Sequence, residues 1–508
     1  MNALLKELLQ MPEAHALLDS TLRRDKPMVT GVSPVHRAML AAAMLQETGR
    51  PMLLLCGDET EAARLCGDLH ALTGRDVTLL RRRDWQLRPC AAASRSWEHQ
   101  RLAALYAMAS GQAPLVVAAI DAAVQRCVPK DVLLETVIAL KVGESYPIEP
   151  LTARLTAAGY VRCQQVEGPG QFALRGGILD VFSPAMEQPV RCEFWDDELD
   201  AMGVFDVTTQ RRVHNLEETL LLPAGQVLPF RGADTAEKAA AALEAAGKKL
   251  KKKEHTEPLL RQLETDANAL RQGIAPNGCD RYLAAVYPEK TTALDYLPED
   301  AILCVCEGGR VSEGLKGWLW QLKEDVAAAA ENGFMAPAMG ELSLTEGETA
   351  AQLARFALCQ MDSLPTSRYL LPPGELLQIS ARQLSTYGGS LETAASDMEH
   401  YLAAGYRVVV LCGGQVRANN MQKLLRGRNI TAALSLDGSI LPQPGQAAIL
   451  LGAVSAGSEW PSLKLAVLTE GQLTESVSGK QKKPRRVKDS NRQKLQSYTD
   501  LTPGDLVV

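Results

Sequence analysis

The stretch Val29–Leu40, VTGVSPVHRAML, sets a glycine, a histidine, an arginine and an alanine at the spacing of a phosphate-binding loop. Such a loop reads G-x-x-x-x-G-K-[ST] between a strand and a helix. Its backbone N–H groups and lysine hold nucleotide phosphates, and its hydroxyl binds Mg²⁺. Gly31 fits the first glycine, but His36 stands at the second, Arg37 at the lysine and Ala38 at the hydroxyl. The layout is that of nucleotide chemistry, without the groups that perform it.

Other reactive residue types form no motif. His15, His36, His70, His99, His214, His255 and His400 have no Ser, Cys or Asp at a catalytic spacing, so no catalytic residue is assigned. Cys304 and Cys306 lie two apart with no second Cys or His pair nearby, so neither a metal nor another cofactor is expected. The eleven cysteines are scattered and mostly sit in apolar runs, the pattern of reduced, buried thiols in a cytosolic protein. The turn GGQVRANN near Gly413 has a strand-to-helix look, but one glycine pair carries no assignment.

The elements around the opening motif alternate strand and helix. RAMLAAAMLQETG reads as a helix ending on Gly49, followed by the buried-strand run PMLLLC. DETEAARLCGDLHALTG then reads as a helix capped by Asp58 with Glu61 three residues on, stopping at Gly74. RDVTLLRR and APLVVAAI supply further strands, and the repetition argues for a parallel α/β sheet. From about 134 to 222 the texture changes to short alternating strands with Gly and Pro turns, a small α+β insert. Helices dominate from about 223, and DTAEKAAAALEAAGKKLKKKEH reads as a solvated helix rather than a nucleic-acid patch. AILCVC resumes the α/β pattern, and a further α/β unit spans about 391–475. Between Lys480 and Lys494 lie eight Lys/Arg and one Asp without apolar periodicity, which reads as a basic linker.

The chain has 508 residues, 46% hydrophobic and 22% charged, with net charge −6, as expected of several globular domains. It has no run of about 18 apolar residues, so no membrane partner is expected.

The segment Gly170–Val213, GQFALRGGILDVFSPAMEQPVRCEFWDDELDAMGVFDVTTQRRV, carries three linked patterns: F-A-x-R-G-G-[IL]-[LV]-D-[IV]-[FY], then P-x-R-x-[ED]-F-[FW], then F-D-x-x-[TS]-Q-R. With RLAALYAMASGQAPLVVAAIDAAVQRCVP, DYLPEDAILCVCE and AGYRVVVLCGG, it resembles the N-terminal, UvrB-like half of the bacterial transcription-repair coupling factor (Mfd) family. The terminal LTPGDLVV resembles the opening strand of that family's RNA-polymerase-interacting domain, so the chain is expected to be truncated before that domain and the translocase motor.

The resemblance implies a multidomain α/β fold: a degenerate P-loop NTPase-like parallel-sheet domain with an inserted small α+β domain, then a second small α/β domain. The boundaries expected are 1–133 and 223–375 for the NTPase-like domain and 134–222 for the insert. The small α/β domain then covers 376–475, the linker 476–498 and the start of the truncated domain 499–508. In a working NTPase of this fold the strand AILCVCE would end in Asp-Glu to organise Mg²⁺. Here Cys306 takes the Asp position and only Glu307 remains. The expected reading is a scaffold without ATP chemistry, and no enzyme.

Function then falls on the insert. In PVRCEFW, alternation places Val190, Cys192 and Phe194 on one face and Arg191, Glu193 and Trp195 on the other. Arg and Trp are enriched in interface hot spots. The arginines could equally pair locally with Glu193, Asp196 or Asp197, and the residues alone leave both readings open. The resemblance implies a UvrA-binding surface, carried over onto Arg175, Arg191 and Trp195. Arg175 is expected to join the others if its strand pairs beside PVRCEFW, and truncating Arg191 or Trp195 is expected to spare the fold. The function implied is a non-catalytic adaptor of transcription-coupled nucleotide excision repair that recruits UvrA to stalled RNA polymerase. Polymerase and double-stranded DNA would be reached through the family's missing C-terminal part. The competing readings are a divergent nucleotide-dependent DNA-binding enzyme, with Arg37 replacing the lysine, and a non-specific DNA-binding module using the basic run.

Overall fold

The computed structural model describes residues 1–85, 87, 95–232, 234–250, 257–366, 368–387 and 390–473. The basic run and the segment 499–508 lie outside these residues. The fold is α/β, built on a seven-stranded sheet in the spatial order Glu375–Gln378, Pro27–Thr30, Ala357–Asp362, Ile302–Cys306, Met52–Cys56, Leu115–Ala119, Thr78–Leu80. Every neighbouring pair is parallel.

The central strands are continuous apolar runs (MLLLC, LVVAA, ILCVC) because the sheet is covered on both faces. Alternation divides them. Leu53, Leu55, Val116, Ala118, Leu303 and Val305 face a core shared with the helices Ser96–Ala109 and Gly308–Glu331. Met52, Leu54, Val117, Ile302, Cys304 and Cys306 face a second core built on the helices Asn2–Leu8, Pro12–Leu22, Pro34–Thr48 and Glu59–Thr73. The last of these obeys its sequence signals. Asp58 accepts a hydrogen bond from the Glu61 N–H at 2.9 Å, and Gly74 closes the helix in the left-handed region.

The helix Thr235–Lys249 is less solvated than its composition suggests. Ala239, Ala240 and Leu243 are buried in the same core as Leu259 and Leu263 of the helix Glu257–Arg271. On the outer side Arg271 joins the two helices through Glu237 and Glu244.

The insert hangs from a two-stranded antiparallel ladder, Ile138–Lys141 against Glu218–Leu221, so the chain leaves and rejoins the parent domain at one place. Its six-stranded sheet runs Arg212–Asn215, Glu198–Phe205, Val190–Trp195, Ile178–Val181, Gln171–Arg175, Val161–Arg162. All joints are antiparallel except the last. Leu179, Val181, Val190, Cys192 and Leu199 pack with Leu151 and Leu155 of the helix Ile148–Ala157.

A third sheet of six strands lies between Arg382 and Thr469. Val408, Val410 and Ile449 face this unit's own helices. Val409, Leu411, Ala448, Leu450 and Trp460 join the second core of the seven-stranded sheet. The two units are thus fused through one continuous apolar interior. Among the described residues no helix is long and apolar enough to cross a membrane.

Candidate functional site

The alternation read in PVRCEFW holds. Val190 and Cys192 are buried, Phe194 packs against the insert's core, and Trp195 is 81% exposed at the end of its strand. Trp195 stands opposite Glu198 across a tight hairpin whose Asp196 takes a left-handed φ of 57°.

Contrary to the expectation, the strand bearing Arg175 does not pair beside that of Arg191. Ile178–Val181 lies between the two strands, pairing with both. The turn that reverses the chain, Gly176–Gly177, needs glycine: Gly176 has φ 59°, and a Cβ on Gly177 would meet the Phe194 carbonyl oxygen at 2.7 Å.

What brings the two arginines together is Asp180, a residue the sequence reading missed. It is 1% exposed and register-paired with Arg191. Arg191 Nε donates to Asp180 Oδ1 at 2.7 Å and Nη2 to Oδ2 at 2.9 Å, while Arg175 Nη2 donates to Oδ2 at 2.7 Å. The arginines therefore pair with neither Glu193, Asp196 nor Asp197; Glu193 bonds Arg212 instead. Arg191 also donates to the backbone oxygen of Gln210 (3.2 Å) and to its side-chain Oε1 (3.1 Å), and its guanidinium lies 4.4 Å over the Phe205 ring. Arg191 is consequently built into the sheet, and its truncation would not leave the fold untouched. The signal in the sequence was the lone acid in GGILDVF, flanked by two apolar neighbours, with Arg175 close before it across the glycine turn.

The P-loop-like segment folds as strand, turn and helix, but its donors are engaged. The Gly31 N–H donates to the Ser363 carbonyl (3.2 Å) and that of Val32 to the Asp362 carbonyl (3.3 Å). The Ser33 N–H donates to His36 Nδ1 at 3.1 Å, so His36 caps its own helix from within. Burial pushes the His36 pKa down to about 4, keeping the imidazole neutral and Nδ1 an acceptor. Gly31 has φ 86°, and a Cβ there would run into the Ile379 carbonyl oxygen, a packing reason for glycine.

Arg37, 2% exposed, reaches Glu307 at 3.0 Å and Glu61 at 3.5 Å. Glu307 in turn accepts from the Ser363 N–H at 3.1 Å. Ala38 is buried in the second core, as is Cys306, at the end of its strand. The reading in sequence missed Asp362, 1% exposed on the next strand, whose Oδ1 accepts from the Gly308 N–H at 2.9 Å. Burial raises the Asp362 pKa to about 6, with the Glu307 charge adding to it; Gly308 and Arg37 oppose the rise. A guanidinium and three acidic side chains, Glu61, Glu307 and Asp362, thus converge beside the P-loop-like turn.

At the GGQVRANN turn the same thing happens on a smaller scale. The Gly413 N–H, one residue before the cap of the helix Gln415–Arg426, donates to Glu470 at 3.2 Å, so the chain's own carboxylate meets the turn. Among the described residues no group of three or more His, Cys, Asp or Glu is placed to hold a metal ion.

The pendant six-stranded sheet thus carries an exposed tryptophan at one strand end and a buried aspartate shared by two partly exposed arginines. Residues 138–226 match the family described as the UvrB interaction domain, and these limits coincide closely with the closing ladder. Beyond that module, 95% of the chain is 29% identical to the transcription-repair-coupling factor of Bacillus subtilis (strain 168), covering 41% of that protein. It is 27% identical to the transcription-repair-coupling factor of Staphylococcus aureus (strain MRSA252) over 97% of the chain and 42% of the relative. The chain is thus similar to the transcription-repair-coupling factors over nearly its whole length. It spans about two fifths of the length of the curated relatives it matches.

Proposed function

We propose that this chain is a non-catalytic adaptor of transcription-coupled nucleotide excision repair, whose insert recruits UvrA. The observation that carries this reading is Trp195, 81% exposed at the end of its strand, on the same insert sheet that presents the half-exposed Arg175. Tryptophan and arginine are the side chains on which interface energy concentrates. The match of residues 138–226 to the UvrB interaction domain supports a partner of the UvrB-binding kind, UvrA. In this reading Arg175, Arg191 and Trp195 make up the binding surface, Arg191 as its support from within the sheet. Contacts with RNA polymerase and duplex DNA belong to other parts of the longer relatives.

The nucleotide-like segment is proposed as inactive and as a structural remnant. Its loop N–H groups are hydrogen-bonded within the chain, and Arg37 is held by Glu61 and Glu307. Neither Ala38 nor Cys306 offers a hard oxygen ligand for Mg²⁺.

Binding of purified UvrA to the immobilised chain tests the adaptor reading. Trp195→Ala should weaken it about tenfold or more, since a hot-spot truncation typically costs about 2 kcal/mol. Equal binding by wild type and Trp195→Ala, or DNA-stimulated ATP hydrolysis by the chain, would overturn the reading.

A further inference from the structure

The donors on the two arginines of the insert are spent very unequally. Arg191 uses its Nε–H and both Nη2 hydrogens on Asp180 and Gln210, and one Nη1 hydrogen on the Gln210 backbone. A guanidinium has five N–H donors. A single N–H of Arg191 therefore remains without a hydrogen bond among the described residues, on a side chain 18% exposed. Arg175 makes one bond, through Nη2 to Asp180, on a side chain 50% exposed, and its other donors face no acceptor among the described residues. Asp180 is the common point: one of its oxygens accepts from both arginines.

We propose that Asp180 and Gln210 are the positioning residues of this face. They hold Arg191 as an internal strut, so that Arg175 is the cation offered outward, to a carboxylate on the partner. The inference rests on the proposed UvrA reading. The chemistry is specific. One buried negative charge between two guanidinia leaves one positive charge in excess, and the excess sits on the arginine with free donors. A guanidinium has two edges that match a carboxylate, Nε/Nη2 and Nη1/Nη2, so a single bond through Nη2 leaves one of them free for bidentate pairing. Gln210 can brace Arg191 because its backbone takes a left-handed φ of 59° and its Nε2 is tied to the Val207 carbonyl at 2.8 Å. That fixes the Oε1 aimed at Arg191.

The test is UvrA affinity at two salt concentrations, with a thermal melt of each protein. Arg175→Ala should lose about tenfold or more in affinity, lose much of the salt dependence, and melt close to wild type. Arg191→Met should lower both melting temperature and affinity, because Asp180 is left under-compensated. The double variant Asp180→Asn/Arg191→Met removes both charges while keeping an acceptor for Arg175. It should recover most of the melting temperature and bind within about threefold of wild type, an energy difference of about 0.7 kcal/mol. Should Arg191→Met not fold, Gln210→Ala takes its place: a loss of about threefold or more, restored by Gln210→Glu, supports the strut. A folded double variant that binds no better than Arg191→Met, or a Gln210→Ala that binds like wild type, overturns the proposal. Wild-type chain that does not bind UvrA at all overturns the adaptor reading itself.

Discussion

Replacing Asp362 by Asn should stabilise the protein near neutral pH, an unusual outcome for a buried residue that accepts a hydrogen bond. The carboxyl is 1% exposed, and burial lifts its pKa from the usual 3.8 to about 6. A carboxyl with a raised folded pKa binds its proton more tightly in the native than in the unfolded state. Its contribution to stability is therefore complete below about pH 4 and is lost as pH rises past about 6. The span between those values is worth about 3 kcal/mol, at about 1.4 kcal/mol for each pH unit. Asn keeps an oxygen for the Gly308 N–H and never ionises, so Asp362→Asn should gain up to about that amount at pH 7.5 and little at pH 4. His36 works in the opposite sense. Its pKa is pushed down to about 4, so its contribution is present above the ordinary histidine value of 6.5 and is lost on acidification towards 4. That term is common to both proteins and cancels in their difference. Urea melts of wild type and Asp362→Asn from pH 4 to 8 give the difference directly. A difference that stays flat across this range, or a variant less stable at pH 7.5 than at pH 4 relative to wild type, would refute the reasoning.

Other outcomes follow from the same geometry. Arg37→Met should cost about 3–5 kcal/mol at neutral pH, because Glu61 and Glu307 lose their buried cation. Part of that loss should return on acidification, a pattern that melting curves at pH 5 and 7.5 would show. Gly31→Ala should cost more than about 1–2 kcal/mol, the left-handed backbone term alone, and denaturant melts should show it without any change in ligand behaviour. Leu179→Ala, fully buried in the insert, should lose about 2–5 kcal/mol in urea melts, while Trp195→Ala melts like wild type.

The sequence made local chemistry legible and left non-local partners hidden. The helix cap at Asp58, the glycine stop at Gly74 and the face alternation of PVRCEFW depend on residues within a turn or a strand of one another, and all are observed. The three substitutions in VTGVSPVHRAML were equally plain. The residues that answer them were not: Arg37 meets Glu61 from a later helix and Glu307 from the far half of the domain. Asp180 escaped notice for a related reason. An acid inside an apolar strand looks like a solvent-facing position until the neighbouring strand delivers Arg191 opposite it. The fusion of the third sheet to the second core was also illegible, since strands buried on both faces do not announce what covers each one.

The ladder that closes the insert also makes it portable. Ile138 and Leu221 are paired across Ile138–Lys141 and Glu218–Leu221, so the two ends of the intervening chain stand side by side, about 5 Å apart at their Cα atoms. A gap of that width can be closed by a short turn. The host sheet therefore has no geometric need for what is suspended from it, because none of its seven strands comes from the insert. Conversely, the whole hanging unit can be spliced into any other scaffold that offers two neighbouring chain ends. Shuffling of this kind exchanges a docking head without redesigning the body that bears it.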